Sequence, residues 1–194
     1  MLNKFLTIVR NIVCAAGLVL MSPIILVSAI AIVIEDGIPI FFIQERIGKN
    51  NTIFKIIKIR TLKKEAPNTA THQLDNKYQL VCGRLFRKIK LDEFPQLINV
   101  INGDINLIGP RPGLESQIDL TLQRTTKGIY EIKPGITGLS QVLGYDMSNP
   151  NKLVEVDKLY IVNKSFYIDL LILICTFIKI PKKYLLNELN KKNA

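Results

Sequence analysis

Asp92 and Glu93 stand side by side in Leu91-Asp92-Glu93-Phe94-Pro95-Gln96, and Arg111 follows between two prolines in Gly109-Pro110-Arg111-Pro112. Adjacent carboxylates with an arginine close behind suit chemistry on a phosphate. A carboxylate can attack phosphorus or hold a cation, and a guanidinium fork grips phosphate oxygens in pairs. Phe94, Leu97, Ile98 and Ile101 recur at spacings of three and four, which predicts a helix that Gly103 stops and that has Asp92 at or near its N-cap. The unpaired N–H groups and partial positive charge of a helix start favour an anion there. The same residues also fit a plainer reading, in which Asp92 caps the helix, Glu93 opposes its dipole and Pro95 fills a position whose N–H has no partner. Arg111 likewise fits either a rigid surface turn or a preorganised phosphate contact.

Charge and hydropathy narrow the partners. The chain has 26 Lys plus Arg against 16 Asp plus Glu, a formal charge of +10, which calls for an anionic partner: nucleic acid, anionic lipid or a phosphorylated substrate. No Trp is present, and the aromatic residues are not interleaved with the basic ones as a base-stacking surface requires, so nucleic acid is not expected. Residues Asn11 to Ile34 contain no charge at all, which points to a membrane. Cys14, Cys82 and Cys175 are odd in number and far apart, so neither a disulfide framework nor a zinc site is implied. The single histidine, His72, lies in a polar stretch from Pro67 to Lys77 that reads as a loop, which leaves carboxylates as the candidate nucleophiles and bases.

The elements around these residues follow in chain order. The uncharged run would make about 36 Å of helix, enough to cross a bilayer. Ser22-Pro23 near its middle predicts a kink, because proline removes a hydrogen bond that the serine hydroxyl can replace. Lys4 and Arg10 precede the run, and Arg46, Lys49, Lys55 and Lys58 are among the cations that follow. A straight span would leave one basic flank on the wrong side, so a re-entrant hairpin that breaks at Ser22 and Pro23 is favoured. Ile38 to Ile43 and Thr52 to Leu62 are β-branched and aromatic around a Gly- and Asn-containing centre, which predicts a β-hairpin. On its second strand Lys58 and Arg60 share a face with Phe54 and Ile56; they either defend an exposed edge or hold a diphosphate. Val81 to Lys90 brings Arg84, Arg87, Lys88 and Lys90 up to Asp92. Helices are expected over Leu114 to Ile129 and Asn151 to Tyr160, a turn-rich segment over Lys133 to Gly138, and a short interfacial or buried helix over Phe166 to Ile180.

Several of these segments, in this order, resemble the bacterial sugar transferase family, the small monotopic phosphoglycosyl transferases that start lipid-linked glycan assembly. They are Gln44-Glu45-Arg46-Ile47-Gly48, Lys58-Ile59-Arg60-Thr61, Arg87-Lys88, Leu91 to Leu97 with Asn99-Val100 and Gly103-Asp104, Ile108 to Pro112, and Pro134 to Gly138 with Gln141. The resemblance extends from Ser22-Pro23 to Asp157, Tyr160 and Asp169, and departs mildly at Leu62, Phe94 and Asn106. Gly113 to Gln117 also differs from the commoner family wording, which bears on sugar specificity more than on the reaction.

The resemblance implies an α+β fold, a mainly helical monotopic domain with a re-entrant N-terminal hairpin (1–36) and a cytoplasmic or interfacial catalytic domain (37–194) that carries a small β-hairpin and interfacial helices. The chain looks like the minimal catalytic form. It also implies transfer of a sugar 1-phosphate from a UDP-sugar to a polyprenyl phosphate at the cytoplasmic face of the inner membrane, with release of UMP. In that scheme Asp92 is the nucleophile, Glu93 handles a proton or metal, and Mg²⁺ is held at Asp92 and Glu93. Pro110, Arg111, Pro112, Lys58, Arg60, Arg87, Gln141 and Asp157 are candidate substrate contacts. For Asp157 and Asp169 a salt bridge and a cofactor role remain equal alternatives. Homo-oligomer formation is left open. The rival class is a non-catalytic basic protein of the membrane surface that binds anionic lipid or nucleic acid, which gives the carboxylate pair and the Pro-Arg-Pro turn no purpose.

Overall fold

The computed structural model describes residues 2–67 and 75–178, with Leu185 and Leu189 beyond them. His72 and the basic residues Lys179, Lys182 and Lys183 lie outside the described residues, as does most of the expected loop from Pro67 to Lys77. The chain divides into two compact units, one of residues 1–45 and 55–104, the other of residues 46–54 and 105–194.

The first unit begins with α1 (Leu2–Asp36), a single helix of 35 residues that runs through Pro23. The break expected at Ser22-Pro23 therefore does not separate two helices. Proline at position 23 leaves the Val19 carbonyl without its usual donor, and the Ser22 hydroxyl donates to that carbonyl at 2.8 Å, so the helix continues. Parts of α1 on both sides of Pro23 pack within this unit. Asn11 Nδ2 donates to the Ile101 carbonyl at 3.5 Å, and Gly17 lies against Leu97. Beyond the proline, Ile32 joins Ile59, Leu80, Phe86 and Leu91 in a core that Met21 and Ile25 flank. Much of the rest of α1 remains exposed, including Leu20, Leu26, Val27 and Ile34.

β1 (Phe41–Ile47) and β2 (Ile53–Ile59) pair as the expected hairpin, with the turn shorter than the sequence suggested. Asn50 and Asn51 take the positive φ values of 54° and 60° that make this turn, a conformation asparagine tolerates better than most residues. α2 (Val81–Lys88) follows, its exposed N–H groups held by α1: the Glu35 carboxylate accepts from Val81 N at 2.6 Å and Cys82 N at 3.0 Å. α3 (Gln96–Asn102) ends at Gly103, which has a φ of 84° and donates to the Asn99 and Val100 carbonyls, as its sequence position predicts.

In the second unit β3 (Asn106–Ile108) and β4 (Gly135–Thr137) form a short parallel pair. The turn-rich composition of residues 133–138 concealed this strand. A Cβ on Gly135 would lie 2.1 Å from Gly109 N, so only glycine lets the two backbones approach this closely. α4 (Ile118–Thr126) starts later than expected, α5 (Leu139–Val142) is one turn, and α6 (Pro150–Asn163) and α7 (Phe166–Phe177) match the two expected C-terminal helices. Asn149 caps α6 through Lys152 N at 3.2 Å, with Pro150 at its first turn. Leu139, Leu143, Val156, Tyr160, Ile168 and Ile172 form one core of this unit, and Leu120, Ile129, Leu153 and Val154 form another.

Candidate active site

The carboxylate pair sits in a 3₁₀ turn, Leu91–Glu93, that precedes α3. This corrects the N-cap expectation: α3 starts at Gln96, with Pro95 at the capping position and no side-chain cap. The chain enters the turn through Lys90, a non-glycine residue in the left-handed region with a φ of 59°, a conformation that costs roughly 1 kcal/mol. Leu91 is buried in the core described above and anchors the turn from below. Asp92 is buried, 8% exposed, while Glu93 is half-buried.

Lys58 Nζ donates to Glu93 Oε1 at 3.0 Å, with both side chains only about one-seventh exposed (14% and 15%). A pair this enclosed is screened less than a surface pair, so the lysine charge is felt at the carboxylates. The register that delivers Lys58 is set by a residue that sequence reasoning quoted only within a motif. Asn99, 1% exposed on α3, donates from Nδ2 to the Lys55 carbonyl at 2.7 Å and accepts at Oδ1 from Ile57 N at 3.1 Å. Its amide thus pairs with β2 on both sides of Ile56, as a strand neighbour would, and a third contact reaches Asp104 Oδ2 at 2.9 Å. Its place two residues from Leu97 and Ile101 puts it on the face opposite the apolar stripe, so periodicity gave no signal that it is buried.

Arg87 projects from α2 and donates through Nε to Thr61 Oγ1 at 2.8 Å. Arg60 behaves differently from the expected phosphate contact. It is 5% exposed; Nε donates to the Pro39 carbonyl at 2.6 Å, Nη1 to Asp36 and the Leu62 carbonyl, and Nη2 to the Gly37 carbonyl. These bonds tie the end of α1 to the end of β2, and the guanidinium faces the chain.

The remaining sequence candidates belong to the second unit. Arg111 lines a small cleft with Ile47, Pro110, Pro112, Tyr130 and Pro134. Gln141 donates from Nε2 to the Ile136 carbonyl at 3.1 Å, and its Oε1 is buried without a partner among the described residues. Asp157, offered as a substrate contact, is 1% exposed and receives Arg124 Nη2 at 2.6 Å, so the salt-bridge alternative holds. Burial pushes its carboxyl above the ordinary value, and the Arg124 guanidinium opposes that push. Asp169 accepts from the Tyr160 hydroxyl at 2.7 Å; burial raises its carboxyl, and raises the phenol too, with the carboxylate adding to the effect. Arg124 carried no sequence signal beyond its place in an amphipathic helix.

The sequence model described as bacterial sugar transferase matches residues 2–183. The chain belongs to the bacterial sugar transferase family. It is 36% identical over 171 residues to the uncharacterized sugar transferase EpsL of Bacillus subtilis, covering 88% of this chain and 84% of that protein. It is 35% identical over 164 residues to the UDP-N-acetylgalactosamine-undecaprenyl-phosphate N-acetylgalactosaminephosphotransferase of Aeromonas hydrophila, 81% of this chain and 39% of that protein. It is 38% identical over 141 residues to the UDP-glucose:undecaprenyl-phosphate glucose-1-phosphate transferase of Caulobacter vibrioides, 70% of this chain and 53% of that protein. The transferase thus spans most of one relative but only 39% and 53% of the other two, and it is an enzyme of the phosphoglycosyl transferase class. Membership counts against the non-catalytic alternative.

Proposed function

We propose that this transferase moves a sugar 1-phosphate from a UDP-sugar to a polyprenyl phosphate through an adduct on Asp92. In the first half, an Asp92 carboxylate oxygen forms a bond to the β-phosphorus and the bond to the bridging oxygen breaks, so that UMP leaves with that oxygen. In the second half, an oxygen of the polyprenyl phosphate forms a bond to the same phosphorus, and the bond to Asp92 breaks to restore the carboxylate. Splitting the transfer in this way replaces one encounter of two anions by two displacements at a fixed nucleophile.

The observation that supports this reading best is the unequal setting of the two carboxylates in a member of this family. Glu93 is tied to Lys58, whereas Asp92 lies deeper in a turn braced by Leu91 and Lys90. Lys58 and Arg87 supply the positive charge that a diphosphate needs, and Glu93 orients Lys58 and serves proton or metal handling in the second half. Arg111 is assigned to the nucleotide diphosphate on the chemistry of its fork.

Among the described residues no three metal-ligating side chains cluster. The adjacent carboxylates Asp92 and Glu93 fit Mg²⁺, which takes one or two carboxylates and fills its shell with water and substrate phosphate, and they would hold it. When bound, the ion would neutralise charge on the diphosphate.

The membrane part of the proposal rests on α1. It is long and apolar enough to cross a bilayer, and much of its surface is exposed, while its contacts with the first unit lie on both sides of Pro23. Because proline can bend a helix without ending it, contacts on both sides of Pro23 favour an α1 that bends there and leaves by the cytoplasmic face through which it enters, where the phosphate of a polyprenyl lipid resides.

The test is purified protein in detergent with a panel of labelled UDP-sugars, polyprenyl phosphate and Mg²⁺. Label from the sugar phosphate is expected on the protein before acceptor is added, released by hydroxylamine as an acyl phosphate should be. Asp92→Asn, which preserves size, should lose at least roughly a thousandfold in turnover, as expected when a covalent nucleophile is removed. Near-normal turnover of that variant, or transfer with no labelled protein at any time, would sink the scheme.

A further inference from the structure

The Pro110-Arg111-Pro112 turn contains two residues without N–H donors, so most of the hydrogen bonds that can fix its shape run through its carbonyl groups. Each is occupied. The Pro110 carbonyl accepts from Gly135 N at 3.0 Å, that of Pro112 from Arg46 Nη1 at 3.2 Å, and that of Gly113 from Ile47 N at 3.1 Å. The Arg111 carbonyl accepts from Arg124 Nη1 at 2.7 Å. That last donor differs from the others: it is a buried charge, 1% exposed, carried by α4 and held in place through its other terminal nitrogen by Asp157 of α6 at 2.6 Å.

A buried arginine–aspartate pair is an unlikely choice for stability alone. Taking both charges from water offsets most of their attraction, and apolar residues of similar volume commonly stabilise as well or better. What apolar residues cannot do is donate to the Arg111 carbonyl. The planar fork can meet a carboxylate and a carbonyl in one fixed geometry, which a lysine with a single nitrogen on a flexible stem cannot reproduce.

We propose that Arg124, braced by Asp157, is a positioning residue of the transferase: by holding the Arg111 carbonyl it fixes the direction in which the Arg111 side chain leaves the turn, and so sets the affinity for the nucleotide diphosphate donor. Arg124 itself does not touch substrate. The inference rests on the proposed role of Arg111 as a diphosphate ligand.

The experiment compares the double substitution Arg124→Met with Asp157→Leu, the single Arg124→Lys, and Arg111→Ala, in purified full-length protein. The double substitution removes both charges together, so it avoids leaving either one buried alone. Its thermal midpoint should stay close to wild type. Its KM for the UDP-sugar should rise about tenfold or more, the scale of one lost charge-assisted hydrogen bond, with kcat changed far less. Adding Arg111→Ala to it should raise KM less than the same substitution does in the wild type, because the two act through one contact. A folded double variant with unchanged KM overturns the proposal. If the double variant does not fold, Arg124→Lys decides: raised KM supports positioning, and wild-type KM refutes it. Should Arg111→Ala alone leave both constants unchanged, the assigned role of Arg111 fails. A raised KM in Arg111→Ala beside an unaffected Arg124 series isolates the failure to the positioning claim.

Discussion

Arg60→Met separates the chain-tying role that the structure gives this cation from the diphosphate contact that the sequence left open. The substitution keeps a long, unbranched side chain in a site that is 5% exposed and removes every donor. Three backbone carbonyls, those of Gly37, Pro39 and Leu62, lose a charged donor. At about 1 kcal/mol net for each, after water recovers part of the loss, the cost is about 3 kcal/mol. Asp36 is given no share in that sum, because its carboxylate is partly exposed and keeps the Lys64 amide as a donor. For a chain of this size, a loss of about 3 kcal/mol corresponds to a fall in midpoint of roughly 6 to 12 °C. Thermal unfolding followed by circular dichroism in detergent measures it, at several scan rates so that irreversible loss is recognised. Donor turnover, measured well below the midpoint, should keep a KM within about threefold of wild type, the expectation for a residue that holds the chain rather than the ligand. An unchanged midpoint together with a tenfold rise in donor KM would show that the guanidinium reaches phosphate, and the internal-tie argument would be wrong.

Gly135→Ala should abolish folding or lower the midpoint by more than about 10 °C, since the new methyl group would meet backbone on three sides; Gly113→Ala, whose nearest neighbours lie at 3.6 Å, is the control that should change little. The Cys82 thiol is pushed up to about 11, chiefly by burial and then by the adjoining Glu35 carboxylate. In a background without Cys14 and Cys175, its maleimide labelling at pH 8 should therefore be slow, with a thiolate fraction of roughly one in a thousand, and should rise until about pH 11. Labelling that saturates near pH 8.5 would contradict that environment.

Local pattern carried much of the fold. The apolar spacing around Phe94 to Ile101 and the glycine at 103 located α3, and the β-branched runs around Lys49 to Asn51 located the hairpin. The parallel pair β3–β4 was not legible, because it has three residues a side and is bordered by glycines that ordinarily signal turns. Gly135 in β4, and Gly109 and Gly138 just after the two strands, are present for close approach, a reason that depends on the partner backbone and so leaves no local trace. The start of α3 was placed too early for a related reason. Asp92 has the residue type of a cap, but Lys90 turns the chain sharply and gives the carboxylate pair a turn of its own.

The candidate site shows the same division between residue type and partner. Alternation along β2 placed Phe54, Ile56, Lys58 and Arg60 on one face, and that face is the more buried one. Nothing in the alternation distinguishes the two cations, since they are two residues apart with like neighbours. Their difference comes from where the acids lie. Asp36, at the end of α1, meets Arg60, and Glu93, from the turn before α3, meets Lys58. Each pairing joins residues far apart in sequence, so it is set by how α1 and α3 pack against β2 and by Asn99, which fixes the strand between them. A charge bound by backbone carbonyls at a helix end becomes part of the frame, and a charge beside the carboxylate pair stands where the proposed chemistry can use it. Sequence can name both cations; only the packing of α1 and α3 on the strand assigns them.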